Sequence, residues 1–217
     1  MRDRPTIDGD RPLILGSASP RRRDILLRLG IPIRIHPVSV DEACRPSEAA
    51  DEYLDRVVRA KLDALAREPD LDGAGMLVAD TAVILDQAIF GKPDSDAHAA
   101  EMLRALSGRT HQVSTRFAIA AADAPSRCLV VQTVRTQVHF RELDDEHVAR
   151  YVATGEGRDK AGAYAVQGLG AFAVERIEGS FTNVVGLPAC EVVAALERAG
   201  LLAGFPLPGA TAPPTVY

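Results

Sequence analysis

The chain has 217 residues, of which 47% are hydrophobic and 25% charged, with a formal net charge of -5. That length buries a sizeable core, and the acid excess argues against a general nucleic-acid or membrane-surface binder. No uncharged apolar run reaches bilayer length. The first eleven residues are charged and lack the apolar segment of a signal peptide. Three widely spaced cysteines, Cys44, Cys128 and Cys190, fit neither a disulfide framework nor a zinc site. These features predict a cytoplasmic protein with reduced, buried thiols.

In chain order, Leu13 to Leu15 reads as a short buried strand. Ser19 suits an N-cap, Pro20 the first helical position and Gly30 the residue after the helix. Ile25, Leu26 and Leu29 supply the helical stripe. Ile31, Ile33 and Ile35 alternate with polar residues or proline, which predicts a half-buried strand closed by Val40-Asp41-Glu42. A second helix is expected from about Ser47 to Arg67. Leu77 to Leu85 reads as a strand interrupted by Ala79-Asp80-Thr81. After the turn at Asp86-Gln87, Ala88 to Phe90 returns as a strand.

Ala99, Met102, Leu103 and Leu106 fall on one helical face, so Asp96 to Leu106 is expected to be helical, stopped at Ser107-Gly108. Two long strands follow, Thr110 to Ala122 and Cys128 to Phe140. A fourth helix spans about Asp144 to Thr154. Short strands are expected near Gly162 to Val166 and Phe172 to Ile177, and a last helix from Ala189 to Ala199. Hairpins mixed with helical crossovers predict one α/β domain over residues 12–200, with a mixed twisted sheet, flanking helices and two lobes around a cleft. The segments 1–11 and 204–217 read as loose tails.

Chemistry concentrates in a few places. From Ser17 to Arg23, small residues lead into a helix N-terminus with three adjacent arginines. Free N–H groups, the positive end of the helix dipole and planar guanidinium forks suit phosphate oxygens. The simpler account is a capped helix with a solvated basic first turn, although cations there oppose the dipole. Lys61 falls within the apolar arc of the second helix, so it must snorkel, pair or enter a polar cleft. Asp80 breaks an apolar strand, either as a turn residue or as a carboxylate at a strand end, where α/β sheets bind ligands. Gly91-Lys92-Pro93 adds a lysine on a constrained loop.

Glu42 closes its strand as an ordinary loop acid or as a carboxylate for a divalent metal. Gln167 lies in a glycine-rich stretch. Its amide has the donor and acceptor needed to read a base edge, or it sits in a plain polar turn. No phosphate-binding GxxxxGK[ST], dinucleotide GxGxxG after a strand, or GxSxG nucleophile motif occurs.

"SASPRRRDILLRLG", Asp41-Glu42, "RAKLDAL", "VADTAVILD", "GKP", "AAEMLRALSGRTHQVST" and "DKAGAYAVQGLGAF" with "IEGSFTNVVGLP" occur in this order. Together they resemble the Maf family of nucleotide pyrophosphatases over about residues 12 to 197. The resemblance implies a fold similar to the inosine triphosphate pyrophosphatases. It also implies hydrolysis of a nucleoside triphosphate to the monophosphate and pyrophosphate with a divalent cation such as Mg, Mn or Co.

On that resemblance, Asp80 matches the acid that activates water. Ser17 or Ser19, Arg21, Arg22, Lys61 and Lys92 match phosphate-binding positions. Glu42 and Asp80 match the metal-holding carboxylates, and Arg22, Thr81 and Gln167 the positions tied to substrate choice. Thr81 after Asp80 and "GAYAVQG" resemble the branch acting on dTTP and UTP; the branch acting on 7-methyl-GTP carries Gln after that Asp. Ala82 stands where that branch has a larger aliphatic and Ala165 where it has Gly; neither touches a proposed catalytic group, but both bear on pocket shape. The expected partner is therefore a nucleoside triphosphate, with no nucleic acid or membrane, and a homodimer is left open. The alternative within enzymes is a 7-methyl-GTP or broad modified-nucleotide pyrophosphatase, and a nucleotide-binding regulator of cell division with little turnover is the rival of a different class.

Overall fold

A computed structural model of the protein describes residues 5–69 and 71–208. The order of elements is β1 (Leu13–Leu15), α1 (Pro20–Arg28), β2 (Ile33–Ile35), α2 (Ala50–Ala66), β3 (Gly75–Leu85), β4 (Ala88–Phe90), α3 (Asp96–Leu106), β5 (Thr110–Ala121), β6 (Ala124–Phe140), α4 (Asp145–Ala153), β7 (Val174–Glu178), α5 (Phe181–Val185) and α6 (Ala189–Arg198). The fold is mixed α/β, as the pattern predicts. Its seven-stranded sheet runs β2-β1-β3-β5-β6-β7, with β4 also paired to β3. β1 is parallel to β2 and β3, whereas the pairs β3–β4, β3–β5, β5–β6 and β6–β7 are antiparallel.

β3 is the organising strand. Successive side chains of a strand point to opposite faces, and β3 is apolar on both faces except at Asp80 and Thr81. On one face, Met76 and Val78 pack with Val58, Leu62 and Leu65 of α2, while Ala82 packs with Leu54 and Val57. Asp80 separates those two clusters. On the other face, Leu77 and Ala79 join Leu26 of α1 and Val192, Ala195 and Leu196 of α6. Val83 and Leu85 join Met102 and Leu103 of α3 and Val148 of α4. Thr81 separates these. The core is thus divided at Asp80-Thr81 on both faces, and the cleft between lobes lies at that division.

Several expectations are corrected. β3 runs unbroken through Asp80, which sits in mid-strand opposite Arg116 of β5. Neighbouring strands supply the backbone partners, so a polar pair does not end the strand. β2 stops at Ile35 as a short edge strand, and Val40-Asp41-Glu42 lies in irregular chain. Residues 162–166 form no strand: a 3-10 turn at Ala161–Ala163, with positive φ at Gly162 and Ala163, replaces it. A second such turn at Leu169–Ala173 delays β7 to Val174.

All three cysteines are exposed. The N-terminal segment is anchored where it is described, since Ile7 is buried and its N–H donates to the Leu201 carbonyl at 2.8 Å. Phe205 and Leu207 pack against the same core. Residues 1–4 and 209–217 of the expected tails lie outside the described residues. No described helix is long and apolar enough to cross a membrane.

Candidate active site

β1 covers β3 only along Gly75 to Leu77, and β4 covers the same edge only from Val83 to Leu85. Between them the edge of β3 is open from residue 78 to 82. The strand-end rule therefore applies to β1, whose carboxyl end opens beside Asp80, and not to β3 itself. A cleft of about 800 Å³ occupies this notch. Ser17, Ser19, Arg21 and Arg22 line it from the loop and first turn of α1, Glu42 and Lys61 from the α2 side. Asp80, Thr81, Lys92 and Gln167 complete the set of candidate residues brought to the one cleft.

Lys61 enters the cleft instead of snorkelling. It is 6% exposed, and its Nζ lies 2.8 Å from Asp80 Oδ1 and 2.6 Å from Glu42 Oε1. One ammonium therefore orients two carboxylates. Burial pushes the Glu42 carboxyl up, but the Lys61 hydrogen bond and the charges of Lys61, Lys92 and Arg22 hold it below the ordinary carboxylate value.

Arg22 behaves differently from the phosphate fork expected of it. Its Nε donates to the Gly186 carbonyl at 2.8 Å, and Nη1 to Ser17 Oγ at 3.1 Å and the Ala79 carbonyl at 2.8 Å. Nη2 donates to Thr81 Oγ1 at 3.1 Å. The guanidinium fills the open edge of β3 and takes the place of a missing strand neighbour at Ala79. Burial lowers its pKa from the usual arginine value. Ser17 is equally committed, accepting from both Arg22 and the Ser19 N–H.

Arg21 keeps more of its donors for the cleft. Among the described residues it reaches only Asp159, at 3.0 Å, and it is partly exposed. Ser19 starts α1 but makes no side-chain capping bond, and the first turn holds no acid. The N-terminus of α1 therefore lines the cleft without the side-chain acceptor that a Ser19 cap would supply. Gly16 serves packing: a Cβ there would lie 2.7 Å from Val78 Cγ1 and 2.9 Å from Leu65 Cδ2.

Two further cleft residues carry no sequence motif of their own. Tyr53 precedes Lys61 by eight positions, two turns along the same face of α2. Burial, reinforced by the neighbouring Asp80 charge, raises its hydroxyl well above the ordinary tyrosine range. Its place in the apolar arc concealed it. Lys160 hydrogen-bonds the Glu156 carbonyl at 2.6 Å and pairs with Asp159 beside Arg21. The run Asp159-Lys160 was visible, but its direction into the cleft was not.

The residues able to hold a divalent cation are Glu42 and Asp80, whose oxygens converge on the Lys61 ammonium. Among the described residues no group of three or more His, Cys, Asp and Glu side chains gathers as a metal cage. Hard cations such as Mg²⁺ take one or two carboxylates and complete their shell with water and phosphate oxygens. Two converging carboxylates beside phosphate-suited cations fit that mode.

The family model described as Maf-like protein matches residues 12–199. A dTTP/UTP pyrophosphatase of Syntrophotalea carbinolica is 43% identical over 198 residues, covering 91% of this chain and 89% of that protein. The dTTP/UTP pyrophosphatase of Citrifermentans bemidjiense is 46% identical, covering 88% and 96%. That of Myxococcus xanthus is 47% identical, covering 90% and 94%. Among solved structures, the Staphylococcus aureus Ham1 protein overlaps 62% of this chain and 73% of its own at 13% identity, with a TM-score of 0.40. With a family model spanning nearly the whole sheet and its helices, and relatives aligned along most of their own length, this chain belongs to the Maf family.

Proposed function

We propose that this protein hydrolyses a nucleoside triphosphate, with dTTP and UTP preferred, to the nucleoside monophosphate and pyrophosphate. The observation that carries the reading is the Glu42–Lys61–Asp80 cluster in the notch of β3, facing the N-terminus of α1 in a chain whose relatives bear that name. The triphosphate lies along the loop before α1, where free amides and the helix dipole favour anions. Arg21, Lys61, Lys92 and Lys160 stabilise its charge, and more strongly as negative charge builds on the phosphates in the transition state.

A water oxygen attacks the α-phosphorus. As the new P–O bond forms, the water proton passes to the Asp80 carboxylate, and the α–β anhydride bond breaks to release pyrophosphate. Lys61 orients Asp80 for this step, and Glu42 holds Lys61 from its other side. A divalent cation bound by Glu42 and Asp80 would supply Lewis-acid stabilisation of phosphate oxygens. Arg22 and Thr81 shape the floor of the cleft by fixing β3 to α1 and to Gly186, and Gln167 reads the base edge. The decisive experiment is a screen of standard and modified nucleoside triphosphates with Mg²⁺, Mn²⁺ and Co²⁺, reading released pyrophosphate. Binding of nucleotide without pyrophosphate release would instead support the regulator reading.

A further inference from the structure

Gln167 stands on a segment without strand pairing, yet that segment is tied down before it by Tyr151 and after it by Glu156. Before it, the Ala165 N–H donates to Tyr151 Oη at 3.1 Å. After it, the Leu169 N–H donates to Glu156 Oε1 and the Gly170 N–H to Glu156 Oε2, each at 2.9 Å. The Tyr151 hydroxyl donates to Glu156 Oε2 at 2.8 Å and closes the bracket. Tyr151 is a buried residue of α4, and Glu156 follows that helix directly after Gly155. The bracket is thus anchored to regular structure.

The two glycines that follow Gln167 fit this clamp. A Cβ at Gly168 would lie 2.1 Å from Glu156 Oε1, and one at Gly170 would lie 2.7 Å from Tyr151 Oη. Burial pushes the Glu156 carboxyl up, but the two amides and the tyrosine hydroxyl hold it below its ordinary value. Neither Tyr151 nor Glu156 is among the cleft-lining residues, whereas Gln167 is.

We propose that Glu156, bridged to Tyr151, is a positioning residue that fixes the Gln167 amide for the pyrimidine base, so that base selectivity is set from α4, outside the cleft. A carboxylate accepting two successive amides gives the turn one geometry, whereas a lone polar turn samples several. The proposal rests on Gln167 reading the base and deepens that reading.

The test compares kcat and KM for UTP, dTTP, CTP and ATP in the wild type, Gln167→Ala, Glu156→Gln and Tyr151→Phe. Glu156→Gln keeps the size of the side chain but turns an amide N–H₂ toward a backbone donor. It should narrow the kcat/KM preference for UTP over CTP and ATP by about tenfold, the equivalent of one misplaced hydrogen bond, with the loss carried mainly by KM. Tyr151→Phe should narrow it in the same direction by less, and it decides the question if Glu156→Gln does not fold. If Gln167→Ala leaves the preference intact, the reading of Gln167 falls and the proposal with it. If Gln167→Ala narrows the preference while both other variants keep the wild-type ratio, or slow all four nucleotides equally, the reading of Gln167 stands and the positioning role is overturned.

Discussion

The Arg22 guanidinium donates to Thr81 Oγ1 at 3.1 Å, joining α1 to the central strand across 59 positions of sequence. Thr81 passes the connection on to Thr115 Oγ1 of β5 at 2.9 Å. Two positions matched to substrate choice are therefore one hydrogen-bonded unit. The Arg22 guanidinium ties the cleft floor together, while the neighbouring Arg21 lines the cleft and pairs with Asp159.

The two arginines should separate experimentally. Arg22→Ala leaves the Ala79 and Gly186 carbonyls without this donor in a buried setting, and should destabilise the fold by about 2–4 kcal/mol. Arg21→Ala breaks only a partly exposed pair with Asp159, costing under about 1 kcal/mol, but should raise KM for the nucleotide several-fold. Urea unfolding and steady-state kinetics on both variants check this. Wild-type stability in Arg22→Ala would return that residue to the role of a direct ligand.

Asp80→Asn keeps the shape of the site and removes the proton acceptor. Its kcat should fall by about 10²–10⁴, with nucleotide affinity by calorimetry within a few-fold of wild type. Undiminished pyrophosphate release would end the assignment of Asp80 as base.

Lys61→Met takes away the ammonium shared by Glu42 and Asp80. Burial raises the Glu42 carboxyl and the Lys61 hydrogen bond and charge hold it down, so losing that positive neighbour favours the protonated form and the acid limb of the kcat/KM profile should move to higher pH. A folded variant whose acid limb stays in place would show that Glu42 does not set it.

Stability should also depend on pH through His111. It is 1% exposed, and burial lowers its pKa to about 4; Nε2 lies 2.8 Å from Tyr164 Oη. In the unfolded chain a histidine takes up its proton near pH 6.5, so the unfolded state binds more protons below that value. Stability therefore falls as pH drops from about 6.5 toward 4, by up to about 3 kcal/mol, and this contribution levels off once the folded state also protonates. Urea midpoints over that range should show a smaller decline in His111→Gln than in the wild type.

Much of the frame was legible because it is written locally. The i, i+3, i+4, i+7 spacing of Ala99, Met102, Leu103 and Leu106 marks α3, and Gly108 after it adopts positive φ. Proline at the first position of α1 and the Asp86-Gln87 turn, both residues at positive φ, follow the same kind of rule. The charged cleft residues were legible as types because an acid in a strand or a lysine in an apolar arc conflicts with its surroundings. α5 was missed because five residues carry too little periodicity, and its signal is the Ser180 cap, which accepts from the Asn183 N–H.

Sequence alone determined where α1 to α4 and α6 and most of the sheet strands would form, with a basic start to α1 and a few charged residues at odds with their apolar surroundings. Periodicity, caps and turns act within a few residues and depend on nothing farther away. Only the tertiary structure decided that β3 runs through Asp80, because β5 supplies the paired backbone there. It alone decided that β1 and β4 leave the edge of β3 open, and that Arg22 fills that edge. Which charge becomes a strut and which faces the cleft depends on what the fold buries beside it.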